Sequence, residues 1–139
     1  MISPMQSSIA QQGSNRDAPP DTSALSQALV MMIDDEPIVT EVVQSFLEDG
    51  GFTNFIAVHD PMQAMVAMRR HRPDVVLLDL LMPGINGFDL LMTMRSDEQL
   101  RYVPVIVLTA ANDAPTKLRA LELGATDFLA KPVDQSELT

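Results

Sequence analysis

The sequence predicts one α/β domain: a parallel sheet wound on both faces by helices. Two observations carry this. Short apolar runs alternate regularly with segments of helical periodicity, and several of the runs are apolar at consecutive positions, as strands covered on both faces are. At 139 residues the chain is one domain of ordinary size. Strands separated by helices demand right-handed parallel crossovers, hence a doubly wound sheet.

Residues 1–26 are rich in Ser, Gln, Pro, Asn and Asp, and their sparse apolar residues cannot offset the entropy of ordering, so they read as a flexible tail. Ala28 to Ile33 is a continuous apolar run, ended sharply by Asp34-Asp35-Glu36-Pro37, and reads as a central strand. Ile38 to Asp49 places Val39, Val42, Val43, Phe46 and Leu47 at helical spacing, with Gly50-Gly51 supplying a left-handed residue at its end. Asn54 to Val58 is a short strand. Asp60-Pro61 is an N-cap followed by proline, opening a helix that runs to His71 before Arg72-Pro73. Val75 to Leu78 is a third strand, ending at Asp79. Beyond a loop with Pro83, Gly84 and Gly87, Phe88 to Arg95 is helical, and Val105 to Leu108 is a strand ending at Thr109. Asp113 to Leu123 is a helix closed by Gly124; Asp127 to Ala130 is the fifth strand, ending at Lys131-Pro132. A fifth helix begins near Asp134 and is truncated at Thr139. Its continuation is expected to cover apolar surface on the first helix's side of the sheet and to raise the melting temperature.

Composition narrows the function. Nineteen acidic against nine basic side chains give a charge of −10, which opposes direct nucleic-acid or anionic-membrane binding. The absence of cysteine removes thiol catalysis, thiolate metal sites and disulfides, and fits a cytoplasmic protein. No run is long enough to span a membrane, and the N-terminus carries no secretory pattern.

In doubly wound sheets the functional crevice lies beyond the carboxyl ends of the strands. Here those ends carry Asp34, Asp35, Asp79, Thr109 and Lys131. Carboxylates brought together repel, so a proton or a cation must stay among them. A hard divalent ion such as Mg2+, or Mn2+ in its place, suits a site with oxygen donors and no His or Cys nearby. A carboxylate is also a potential nucleophile toward phosphorus, with Lys131 and Thr109 able to stabilise a phosphoryl group.

These residues resemble the response-regulator receiver domains of two-component signalling. The resemblance covers residues 28–139 and rests on four segments in order: Ile33-Asp34-Asp35-Glu36-Pro37; Val75-Val76-Leu77-Leu78-Asp79-Leu80-Leu81-Met82-Pro83 with Gly87; Val107-Leu108-Thr109-Ala110; and Lys131-Pro132. It implies a flavodoxin-like (βα)5 fold of strand order 2-1-3-4-5. It also implies Asp79 as phospho-acceptor, and a Mg2+ site from Asp35 directly, Asp34 through water, Asp79, and the backbone carbonyl of Leu81. Thr109 and Lys131 fall to the phosphoryl group, and Phe128 to the family's switch aromatic, with the tyrosine hydroxyl missing. A cis bond before Pro132 is usual in the family. The implied partners are a sensor histidine kinase or phosphotransfer protein, and a homodimer through the face of the fourth helix, fifth strand and fifth helix. The implied output is DNA-binding or an enzyme of cyclic-di-GMP turnover.

Each residue alone has a plainer role: Asp34 and Asp35 as helix-capping acids, Asp79 as a turn starter, Thr109 as a strand residue, Lys131 as a solvated terminus. Only their joint placement argues otherwise. The methionines at 62, 65, 68, 92 and 94 read as gap-fillers, and Arg69, Arg70, His71 and Arg72 as cations at a helix end. His59 has no evident partner. Three other functions fit less well. A phosphohydrolase of the haloacid-dehalogenase type wants an aspartate two residues beyond its nucleophile at the first strand, where Glu36 or Pro37 stands. A flavodoxin-like cofactor module wants a phosphate loop that is missing. A phosphorylation-independent interaction module would ordinarily have lost one of the acids, Thr109 or Lys131.

Overall fold

The computed structural model describes residues 26–109 and 113–131. Residues 1–25 of the tail, residues 110–112 after Thr109 and the fifth helix from Asp134 fall outside those residues, as does the Lys131–Pro132 bond. Twelve segments matter: β1 (Leu29–Ile33), α1 (Pro37–Asp49), β2 (Asn54–Val58), a 3-10 turn (Pro61–Gln63), α2 (Ala64–His71), β3 (Val75–Asp79), β4 (Leu81–Met82), β5 (Ile85–Asn86), α3 (Gly87–Ser96), β6 (Val105–Thr109), α4 (Ala114–Glu122) and β7 (Asp127–Ala130).

Five strands form a parallel sheet in the order β2-β1-β3-β6-β7, which is the expected 2-1-3-4-5 once the two-residue hairpin β4-β5 is set aside. Along β1, Val30 and Met32 face one core cluster while Met31 and Ile33 face the other, so the strand is apolar throughout because it is covered on both sides. The larger cluster takes Ala64 and Met68 from α2, Leu90, Leu91 and Met94 from α3, and Ala120 from α4. The smaller takes Val43 from α1, with Val39 and Leu47 packed against it. At the other end of the sheet, Asp74 clamps β1 to β3: its N–H donates to Leu29 O, and its carboxylate accepts from Leu29 N.

The differences from expectation are local. Helix α1 buries Thr40 and Val43, so Val42 and Phe46, counted toward its apolar face, lie on its flank; Phe46 is 76% exposed. The segment after Asp60 begins as a 3-10 turn, because Asp60 accepts from Met62 N, two residues on, and tightens the entry. Of the five methionines, Met68 and Met94 are buried, whereas Met62 and Met92 are exposed and fill nothing.

Arg72 closes α2 in the left-handed region (φ 48°), the only non-glycine with positive φ among the described residues. A side chain there costs about 1–2 kcal/mol, part of which glycine returns through its larger unfolded-state entropy. We expect Arg72→Gly to raise stability by about 0.5–1 kcal/mol in urea denaturation. An unchanged midpoint would mean that the arginine side chain offsets its own strain.

Candidate functional site

Parallel register brings the strand ends to one edge. Ile33 pairs with Val58 and Leu78, Asp79 with Leu108, and Thr109 with Ala130, so the residues at or just after these ends converge. Asp34 N donates to Val58 O, and Lys131 N to Thr109 O at 2.7 Å, extending the sheet into the site by one residue on each side.

Asp34 and Asp79 are fully buried (0% and 1% exposed), Asp35 is half-buried, and one carboxylate oxygen from each lies within 4.8 Å of the others. Each buried acid uses one oxygen locally: Asp34 Oδ1 accepts from Glu36 N at 2.9 Å, and Asp79 Oδ1 from Leu81 N at 3.1 Å. Their second oxygens are turned inward. Among the described residues Asp34 Oδ2 and Thr109 Oγ1 have no hydrogen-bond partner, and Asp79 Oδ2 has only the ammonium of Lys131, 3.1 Å away but off the hydrogen-bonding axis. Buried polar atoms are rarely left so, and two of these three belong to the carboxylates that lie together. An oxygen-only, acidic, partly orphaned donor set is what a hard divalent cation requires, so the residues present fit such an ion.

Electrostatics say the same. Burial, with the Asp79 charge adding to it, pushes the Asp34 carboxyl from 3.8 up to about 6, against the Glu36 N–H, which favours the anion. Lys131 shifts upward: burial opposes its charge, but the carboxylates of Asp79, Asp34 and Glu36 outweigh burial. Its Nζ lies 3.6 Å from Glu36 Oε1 and 4.0 Å from Asp34 Oδ2. The ammonium is thus held over the acidic edge by three carboxylates.

Residues 30–139 match the family described as the response regulator receiver domain. The chain belongs to that family. A DNA-binding response regulator, MtrA of Mycolicibacterium smegmatis, is 38% identical over 109 residues, 78% of this chain and 46% of the relative, so the chain spans about half the length of that protein. A crystal structure of a putative response regulator from Chloroflexus aurantiacus superposes with a TM-score of 0.71 at 30% identity, covering 80% of this chain and 90% of the other. The receiver domain of a signal transduction histidine kinase from Syntrophus aciditrophicus does so at 0.66 and 32%, covering 80% and 83%. Receiver domains therefore sit in both regulator and kinase contexts among these neighbours.

Every strand-end residue singled out in the sequence lies at this edge of the receiver. Leu81 reaches the site through its backbone, and its side chain is 73% exposed. Phe128 is half-buried against the larger core cluster, with Lys117 Nζ 5.0 Å from its ring centroid. Two features escaped the sequence reading. Glu36 sends its carboxylate to Lys131, and buried Thr40 donates to Pro37 O while sharing a hydrogen bond with His59 Nε2 at 2.9 Å, tying the first turn of α1 to the end of β2. Glu36 was visible only as one more acid in a run, and His59 carried no local signal.

Proposed function

We propose that this receiver accepts a phosphoryl group on Asp79 from a phosphohistidine of a sensor kinase or phosphotransfer protein, and switches conformation to control an output domain or partner. The observation that carries the reading is a buried carboxylate, Asp79, at the end of a central strand, with two further carboxylates within 4.8 Å and an ammonium at 3.1 Å. The working unit is residues 27–139, residues 1–26 standing outside it, and its place is the cytoplasm; among the described residues no helix is long and apolar enough to cross a membrane.

An oxygen of Asp79 forms the bond to phosphorus while the bond from phosphorus to the donor nitrogen breaks, the electron pair staying on the imidazole. Asp79 Oδ1 is held by Leu81 N, which leaves Oδ2 as the attacking atom. Lys131, already 3.1 Å from Oδ2, pairs with a phosphoryl oxygen, and Thr109 brings an uncommitted buried hydroxyl to another. Asp34, Asp35, Asp79 and the Leu81 carbonyl would hold Mg2+, which supplies charge neutralisation at acceptor and phosphoryl oxygens. Thr109, once drawn to the phosphoryl group, vacates space that Phe128 on the neighbouring strand can fill, and the face of α4 and β7 changes with it. Water attack on the phosphorus later releases inorganic phosphate and restores the carboxylate. The output is DNA-binding, as the name of the MtrA relative supports, or cyclic-di-GMP turnover.

Intact-mass spectrometry after incubation with acetyl phosphate and Mg2+ tests this. Folded protein is expected to gain one phosphoryl group, and Asp79→Asn or added chelator to prevent it. Folded wild type that gains nothing would instead support a phosphorylation-independent interaction module.

A further inference from the structure

Glu36 is the N-cap residue of α1, and its side chain makes no capping bond; glutamate is not among the residues that ordinarily cap a helix. Its carboxylate is turned the other way, to within 3.6 Å of Lys131 Nζ, where it stays more than half exposed. We propose that Glu36 is a positioning residue that competes with the phosphoryl group for Lys131 and so sets how fast Asp79 is phosphorylated. The inference rests on Asp79 being the acceptor.

Lys131 reaches three carboxylates, and they differ in fate. Asp79 becomes an acyl phosphate, and Asp34 belongs to the acidic set that a divalent cation would neutralise. Glu36 keeps its charge throughout. It therefore holds the ammonium toward the β1–α1 side while the phosphoryl group needs it, and adds a negative charge at the mouth through which an anionic donor must enter. The same position is the N-cap of α1, which lets charge and capping be separated by substitution. Serine at position 36 restores a capping oxygen and removes the charge; glutamine removes the charge and leaves the shape.

With acetyl phosphate, the Asp79–phosphorus bond forms as the bond from phosphorus to the acetate oxygen breaks and acetate leaves. Under low salt and saturating Mg2+, Glu36→Gln and Glu36→Ser are both expected to accelerate labelling of Asp79 by about 1.5-fold to fivefold, the range of a partly screened surface charge, with the gap narrowing in high salt. Glu36→Ser is further expected to melt higher than Glu36→Gln. Equal labelling rates in all three proteins, with wild type labelled, would overturn the proposal and leave Glu36 a surface acid. A second readout does not depend on phosphorylation: carbon-13 relaxation at Lys131 Cε, in Mg2+, is expected to show a more mobile side chain in Glu36→Gln. If wild type takes no phosphoryl group while Lys131 loosens in the variant, the acceptor reading fails and the Glu36 restraint on the lysine stands. An unloosened Lys131 overturns the restraint itself.

Discussion

Replacing Asp34 by asparagine is expected to raise the melting temperature of the metal-free protein at pH 7.5 by roughly 12–24 °C. The group's folded value, about 6, lies above its ordinary 3.8, so folding favours the protonated form. Its stabilising contribution is complete below about pH 4 and is lost as pH rises through 6. By pH 7.5 the loss is on the order of 3 kcal/mol, and about 1 kcal/mol moves the midpoint of a domain this size by roughly 4–8 °C. Asparagine keeps the oxygen that accepts from Glu36 N and puts an amide among the remaining carboxylates. At pH 4.5 the folded carboxyl is protonated but the unfolded one is mostly ionised, so about 1 kcal/mol is already lost and the gap between the two proteins should shrink to roughly a third. Mg2+ should stabilise wild type strongly at pH 7.5 and little at pH 4.5, and stabilise the variant less at either, since one of three carboxylates is gone. Melting curves by circular dichroism, with chelator or Mg2+ at both pH values, check all of this. A variant no more stable than wild type at pH 7.5 in chelator would show that the inward oxygens of Asp34 and Asp79 are not in conflict.

The convergence of Asp34, Asp35, Asp79, Thr109 and Lys131 was legible because it needs only two facts: where apolar runs stop, and that parallel strands stop on the same side. A cap and a left-handed closer marked helix ends for the same reason of locality, as at Asp60 and Gly124. What stayed hidden depends on how elements meet. The β4-β5 hairpin is two residues a side, too short for any periodicity to register. Arg69 looked like a cation serving the end of α2, yet it pairs with Asp97 at 2.7 Å, 28 residues away. Arg95 donates to the carbonyls of Gly124, Arg101 and Val103, binding the end of α3 to two loops, and Arg119 of α4 stacks on Phe88 of α3. Glu36 is the functional case of this blindness. Its neighbours in sequence suggest a cap or a ligand, and only the position of β7 brings Lys131 within its reach.

The glycines of the β3–α3 loop divide in a way the sequence did not separate, and the division makes the second large prediction. Gly84 has φ 82° and nothing within 4 Å of where a Cβ would stand, so it is required by backbone conformation alone. Gly87 is required by space. Its N–H donates to Leu80 O at 3.1 Å, and a Cβ there would collide with Leu80 Cα and stand 2.8 Å from Leu80 O and 2.9 Å from Asp79 O. These are backbone atoms, which no rotamer change can move aside, so Gly87→Ala must push the end of β3 and the start of α3 apart. Forcing a methyl group into such a site costs about 1–3 kcal/mol. The displaced strand end carries the acceptor itself, and a shift of about 1 Å at a reacting group can cost a hundredfold in rate. Gly87→Ala is therefore expected to melt roughly 5–20 °C below wild type and, at a temperature where it is still folded, to be labelled by acetyl phosphate at least tenfold more slowly. Gly84→Ala should lose about 1–2 kcal/mol to left-handed strain while its labelling rate stays near that of wild type, because its methyl group meets nothing. Equal labelling of the two variants would mean that the contact of Gly87 with Leu80 and Asp79 serves only the packing of α3. A slow Gly87→Ala beside a normal Gly84→Ala would tie the position of Asp79 Oδ2 to the absence of one methyl group eight residues along the chain.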